Sequence, residues 1–155
     1  GHTLHHVVLP EINNEEAEYE IYQDWLNLQN HGLSHDTFAL PSGHATEEQF
    51  EIILNYYKNI RTSRDLKHFY PINRTYLGYF FYDSEYNAQD AISRIIRGVE
   101  NKEALIILGF HQFQEENTGY PANCTPIDFR QILEFIHYNE LEVLTIKEAV
   151  DKLSN

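Results

Sequence analysis

The stretch Leu105-Ile106-Ile107-Leu108-Gly109-Phe110 decides the fold class of this chain. It is continuously apolar, polar residues flank it, and its length is that of a strand buried on both faces of a parallel sheet. A helical pattern precedes it at residues 88–102, with apolar positions from Ala91 to Val99 on one face. A helix that leads into a buried strand is typical of an α/β fold.

The same alternation continues in both directions from this stretch. Helices are predicted at residues 15–31, 46–58 and 88–102, after Thr125 and after Thr145, and strands at residues 36–40, 59–63, 75–82, 105–110 and 142–145. Capping residues mark three of the helix starts: Thr46 with Gln49, Thr125 before Pro126, and Thr145 with Glu148. We therefore expect one α/β domain over residues 1–155, with a mainly parallel sheet.

The charge of the chain argues against two classes of partner. The sequence has 24 acidic and 11 basic residues, which gives a formal net charge of −13. Binding to nucleic acid or to an anionic membrane needs clustered Lys and Arg, and no such cluster occurs. No apolar run has the length of a membrane span. Cys124 is the single cysteine, so the chain forms no internal disulfide.

The first six residues, Gly1-His2-Thr3-Leu4-His5-His6, hold the densest group of potential metal ligands. Neutral imidazole is a common ligand for zinc, and the spacing of His2 and His6 allows a loop to curl around one ion. Two histidines do not complete such a site, and a histidine-rich terminus can also be frayed and without function. Both interpretations stay open from spacing alone.

Two further features fall at the carboxyl ends of predicted strands, where ligands collect in parallel α/β folds. The turn Pro41-Ser42-Gly43 follows the strand at residues 36–40, and His111 follows the strand at residues 105–110. His44, beside the turn, either touches a substrate there or is a solvated loop residue. We expect the turn and His111 to contribute to a common site.

In this order, the motifs resemble those of the polysaccharide deacetylase family, which comprises NodB-type amide hydrolases similar to carbohydrate esterase family 4. The metal motif of that family, His-(Ser/Thr)-x-x-His, stands as His2-Thr3-Leu4-His5-His6. Its loop motif Phe-Ala-x-Pro-x-Gly stands as residues 38–43, and its late histidine motif as residues 105–111. The family's closing helix, strand and helix resemble the region from Phe129 to Ala149.

This resemblance implies an incomplete or distorted (β/α) barrel of the NodB type, with the first strand or strands missing. It implies a divalent metal, with zinc as the expected ion, held by His2 and His6. His111 would be the general acid, and the Ser42 N–H in the Pro41–Gly43 turn would stabilise the oxyanion. The implied activity is removal of N-acetyl groups from an amino-sugar glycan, by hydrolysis of a non-peptide carbon–nitrogen bond, at a cell surface or outside the cell.

The chain departs from the family pattern at several positions. The family's aspartate pair, which supplies the base and the third metal ligand, belongs upstream of His2, and no Asp-Asp pair occurs in residues 1–155. Ala39 and Ser42 replace the Arg and Tyr of the stricter loop motif, and the family's Asp-x-x-Asp-Trp motif has no match. Gly109 stands two residues before His111, where Leu is usual.

These departures lead to two interpretations of function and to an expectation about the chain's completeness. The first interpretation is an active deacetylase; the second is an inactive carbohydrate-binding or structural relative of the same fold. The missing motif also indicates that the domain is truncated at its N-terminus. An open sheet edge would then need cover, either from the missing segment or from a second copy in a homo-oligomer.

Overall fold

The computed structural model of the chain describes residues 1–115 and 121–154. Within these residues the helices are α1 (Asn14–Asn30), α2 (Glu47–Leu54), α3 (Ala88–Glu100), α4 (Pro126–Tyr138) and α5 (Ile146–Ser154). The strands are β1 (Thr37–Ala39), β2 (Asn59–Arg61), β3 (Phe80–Phe81), β4 (Leu108–Gly109), β5 (Gln112–Phe113) and β6 (Asn123–Cys124). Single turns of 3₁₀ helix occupy Leu9–Glu11 and Pro41–Gly43.

All five predicted helices form, because local capping fixes their starts. Thr46 and Gln49 form a reciprocal capping box, in which the Gln49 N–H donates to Thr46 Oγ1 at 3.2 Å and the Thr46 N–H donates to Gln49 Oε1 at 3.0 Å. Thr125 Oγ1 accepts from the Asp128 N–H at 3.1 Å, with Pro126 at the first helical position. The predicted helices are confirmed, although α2 ends earlier than expected.

The strands pair in parallel, as predicted, but the predicted (β/α) barrel is wrong. β1 pairs with β2, β3 with β4, and β5 with β6, and every pair is a separate two-stranded sheet. A single parallel bridge between Arg61 and Leu77 links β2 to the segment before β3. The described residues therefore form a mixed α/β structure with short parallel pairs.

A barrel closes only when each strand pairs with neighbours on both sides over a staggered register. Here each ladder has only two or three residues on a strand, so the strands do not close on themselves. The predicted strand at residues 142–145 is also wrong: it lies in an irregular segment, where Val143 is 71% exposed. An apolar sequence alone does not make a strand when no partner strand is available.

Two groups of buried side chains form the core. One lies between α1, α2 and the β1–β2 pair, with Ile21, Phe38, Ile53 and Ile60 at 0% exposure. The other lies between α3, α4 and strands β3 to β6, around Tyr82, Ala91 and Ile132. The ends of β1 and β2, which border the first group, carry the Pro41–Gly43 turn and Arg61.

Candidate functional site

The N-terminal loop is held in its shape by the carboxylate of Asp24 on α1. Asp24 Oδ2 accepts from the His2 N–H at 3.0 Å and from the Tyr57 hydroxyl at 2.6 Å. The loop also extends the β1 edge, since the Ala39 N–H donates to the Gly1 carbonyl at 2.9 Å. These bonds fix the backbone of His2 beside the end of β1.

Glu20, also on α1, holds the middle of the loop and turns His5 away. Its Oε2 accepts from the His5 N–H at 2.9 Å, and its Oε1 lies 2.7 Å from His5 Nδ1. The backbone then reverses through residues with left-handed dihedral angles, Thr3 at φ 62° and His6 at φ 58°. Such conformations in non-glycine residues cost energy and are often found at functional sites.

This loop shape brings His2 and His6 together, with their ring centroids 4.7 Å apart and their planes at 71°. His2 Nδ1 lies 2.7 Å from the Ala39 carbonyl oxygen, which only accepts, so Nδ1 carries the proton and donates. His2 Nε2 is consequently an unprotonated nitrogen whose ring is oriented by a backbone carbonyl. Histidines that bind metals are held in this way.

The histidine pair supplies fewer ligands than a divalent metal takes from a protein. Two imidazoles from one loop suit zinc, which prefers nitrogen and sulfur ligands in a set of three or four protein groups. Within residues 1–115 and 121–154, however, no group of three or more His, Cys, Asp or Glu side chains is arranged around one such position. The described residues therefore bring two imidazoles together but do not form a complete zinc site.

The Pro41–Gly43 turn follows β1 and offers a backbone donor. Ser42 has φ 53° and Gly43 has φ 78°, both in the left-handed region. The Gly43 N–H donates to the Leu40 carbonyl at 3.0 Å. Within the described residues the Ser42 N–H makes no hydrogen bond, so it is available to a ligand oxygen. Pro41 is buried and anchors the turn.

His111 lies in the two-residue break between β4 and β5. Its ring packs against Phe81, with the centroids 4.9 Å apart. Partial burial lowers the pKa of His111 below its ordinary value, and the positive charges of Arg61 and His6 lower it further. His111 is therefore mainly neutral at neutral pH, which is opposite to the resting state of a general acid.

Arg61 is a member of this site to which the sequence had assigned no role. Its guanidinium carbon lies 4.4 Å from the centroid of the Tyr79 ring, a cation–π contact. The Tyr79 ring packs so closely on Gly109 that a Cβ added there would lie 2.1 Å from the ring. Gly109, a departure from the family motif, is therefore required by the packing of Tyr79. In the sequence, Arg61 lies in the middle of the predicted strand at residues 59–63, and this position does not indicate a role in the site.

The side chains of His2, His6, Arg61 and His111 lie near enough to influence one another electrostatically. Burial lowers the pKa of His2, the bond to the Ala39 carbonyl partly opposes this, and His6 and Arg61 lower it again. Arg61 and His6 act on His111 in the same way. These side chains are two paired imidazoles, a third imidazole and a guanidinium, and His2 bonds to Ala39, two residues before the Pro41–Gly43 turn.

Comparison of the chain with models of protein families, with curated proteins and with solved structures finds no match in any of the three. The resemblance to polysaccharide deacetylases therefore stays a prediction from the motifs. In the described ranges no helix combines the length and apolar character that a membrane span requires.

Proposed function

We propose that this protein is a metal-dependent hydrolase of non-peptide carbon–nitrogen bonds that removes N-acetyl groups from an amino-sugar glycan. The observation that carries the proposal is the pairing of the His2 and His6 rings at 4.7 Å, with His2 Nδ1 bound to the Ala39 carbonyl. The order of the three motifs along the chain supports the same activity.

The chemistry that a divalent metal supplies at such a pair is polarisation of the amide carbonyl and activation of water. The chain's own residues stabilise the oxyanion and transfer the protons. The Ser42 N–H stabilises the negative charge that develops on the acetyl oxygen as water attacks the carbonyl carbon. His111, neutral at rest, takes a proton from the attacking water and then gives it to the leaving amine nitrogen as the C–N bond breaks. The products are acetate and a free amino sugar.

The test is acetate release from N-acetylglucosamine oligomers in the presence of zinc. We expect release that stops when a chelator is added, because His2 and His6 would then lose their metal. His111→Ala is expected to lower the rate by about 10²–10⁴-fold, the usual contribution of a general acid or base.

His137→Ala is the matched control, because His137 is an exposed histidine in the last turn of α4. This variant should release acetate at the unchanged rate. Zinc-loaded protein that releases no acetate from any N-acetylated glycan, or equal loss in both variants, would contradict the proposal.

A second candidate is a carbohydrate-binding protein without catalysis. The observation in its favour is that the described residues bring only two metal ligands together. Saturable binding of the oligomers that is unaffected by chelator and by His111→Ala, with no acetate released, would support this function over the first.

A further inference from the structure

A cavity of about 150 Å³ lies beside the Pro41–Gly43 turn. A single water needs roughly 10–15 Å³ of such space, so this cavity accommodates a larger polar group. The described residues that line it carry no carboxylate, and they include Gly43, His44, Phe50, Ser63, Arg64 and Tyr76. Gly43 belongs both to the turn and to this cavity, so a ligand in the cavity adjoins the turn.

Arg64 is the charged group of the cavity, and its backbone is held on both sides. Its N–H donates to Thr62 Oγ1 at 3.4 Å, and its carbonyl accepts from the Tyr79 N–H at 2.8 Å. Its guanidinium carbon lies 5.8 Å from the centroid of the Tyr76 ring. The Arg64 side chain therefore extends from a backbone that hydrogen bonds hold in place, and its guanidinium lies beside the Tyr76 ring.

Arg64 has no acidic partner, although the chain has a net charge of −13. Asp65, its neighbour in sequence, turns instead to Arg94, at 3.6 Å. Across residues 1–115 and 121–154, no ion pair involves Arg64. An arginine without a carboxylate partner, in a cavity free of carboxylates, is suited to binding an anion.

Other groups of the cavity complement a carboxylate and a sugar ring. His44 Nδ1 donates to the Ser42 carbonyl at 2.7 Å, which leaves Nε2 to accept a hydrogen bond from a sugar hydroxyl. The Ser63 hydroxyl adds a donor next to Gly43. The rings of Phe50 and Tyr76, with centroids 6.4 Å apart, provide apolar surface.

We propose that this cavity binds the carboxylate of an acidic sugar, so that the glycan acted on at the histidine site is an acidic one. The inference rests on the proposed function for the identity of the ligand as a carbohydrate. Arg64 is the specificity-determining residue, through a charge-assisted hydrogen bond to the carboxylate.

The experiment compares two oligosaccharides of equal length, one of N-acetylglucosamine alone and one that alternates N-acetylglucosamine with glucuronate. Affinities are measured by calorimetry in the zinc-loaded His111→Ala background, so that turnover does not interfere. We expect the acidic oligosaccharide to bind roughly tenfold or more tightly, and Arg64→Gln to remove that difference, the usual effect of losing one hydrogen bond to a charged group.

Arg97→Gln, which changes an exposed arginine on α3, is the control and should keep the preference. His44→Ala provides a second variant at the cavity and should weaken the binding of both oligosaccharides while the preference stays. Equal binding of the two oligosaccharides, or a preference that persists in Arg64→Gln, would overturn the inference. No acetate release by the unaltered protein, with the binding preference intact, would contradict the proposed hydrolase and leave the acidic-sugar site at Arg64 standing, so the two failures are distinguishable.

Discussion

At the scale of single residues, Arg61 adds to the effect of burial in keeping the histidine site neutral. Its guanidinium rests on Tyr79, and within the described residues no carboxylate forms an ion pair with it. Because like charges repel, Arg61 disfavours the protonated forms of His2 and His111. Neutral imidazole is the form that binds a metal or accepts a proton.

Arg61→Gln is expected to raise the pKa of His111 and of His2 towards the ordinary value, because it removes one of the positive charges that lower them. In the variant, each histidine would gain its proton at a higher pH as the solution is acidified. The measurement is a pH titration of the imidazole NMR signals in the metal-free protein. Arg97→Gln is the control, and identical midpoints in all three proteins would contradict the shared site.

Cys124 allows a second test at this scale. It is 1% exposed, and burial raises the pKa of its thiol from 9.0 to about 11, with Asp128 adding to the rise. Since the thiolate is the reactive form, its fraction near pH 8 falls about 100-fold, and burial slows access further. We expect alkylation by iodoacetamide to be at least 100-fold slower in the folded protein than in urea. Equal rates would show that the thiol is exposed.

At the scale of elements, the Pro41–Gly43 turn depends on its own residues, which the sequence shows, and on a contact with a distant residue, which it does not. Proline and glycine predict a turn, and the turn forms. The close packing of Gly43 on Ser63 was not predictable, because it depends on a residue twenty positions away. A Cβ at Gly43 would lie 2.2 Å from Ser63 Cβ and 2.9 Å from the Ser63 nitrogen.

Two glycine substitutions separate dihedral strain from steric overlap. Gly32 has φ +66° with nothing within 4 Å, whereas Gly43 has φ +78° and meets Ser63. Gly32→Ala should lower the free energy of unfolding by about 1 kcal/mol, the cost of a left-handed alanine. Gly43→Ala should lower it by about 2–5 kcal/mol, because steric overlap adds to that cost.

Urea denaturation of both variants measures these free energies. Equal losses would mean that Ser63 moves aside freely and that the turn is not held by this contact.

Helices were predicted more accurately than strands for a physical reason. A helix start such as Thr46 with Gln49 is decided by neighbours three residues apart, which a sequence displays directly. A strand needs a partner from elsewhere in the chain. Residues 75–82 were predicted as one strand, yet only Phe80–Phe81 enters a ladder, while Tyr79 instead packs its ring on Gly109 and Arg61.

At the scale of the whole molecule, a buried ion pair joins α3 to the loop before β4. The Arg94 guanidinium donates to Glu103 Oε1 at 3.1 Å and to Oε2 at 2.8 Å, and the two side chains are 7% and 0% exposed. Arg94 also approaches Asp65, which follows β2. This pair therefore links the segments that carry Arg61 and His111.

Glu103→Gln is expected to destabilise the protein by about 3 kcal/mol, because the buried Arg94 charge then keeps only the exposed Asp65 carboxylate, at 3.6 Å, as an ion-pair partner. Thermal and urea unfolding give the change in free energy. Glu100→Gln, an exposed position at the end of α3, is the control and should change it by less than about 0.5 kcal/mol. A small effect at Glu103 would mean that solvent reaches Arg94.

The sequence predicted the parts of the site that depend on short spacing. The spacing of His2 and His6 allowed one loop to bring them together, and their ring centroids lie 4.7 Å apart. The membership of Arg61, the support from Asp24 and Glu20, and the cavity at Arg64 depend on contacts between distant elements. The barrel prediction failed for the same reason, because closure depends on how far each ladder extends.

The central claim is that residues 2–6 form a histidine pair ready to bind a metal. The most direct measurement is zinc titration followed by the imidazole nitrogen signals in NMR. We expect the Nε2 signal of His2 and one ring nitrogen of His6 to shift together at the lowest zinc concentrations. His2 Nδ1 should stay protonated and His5 unaffected. Unchanged His2 and His6 signals, while other histidines respond to zinc, would contradict it.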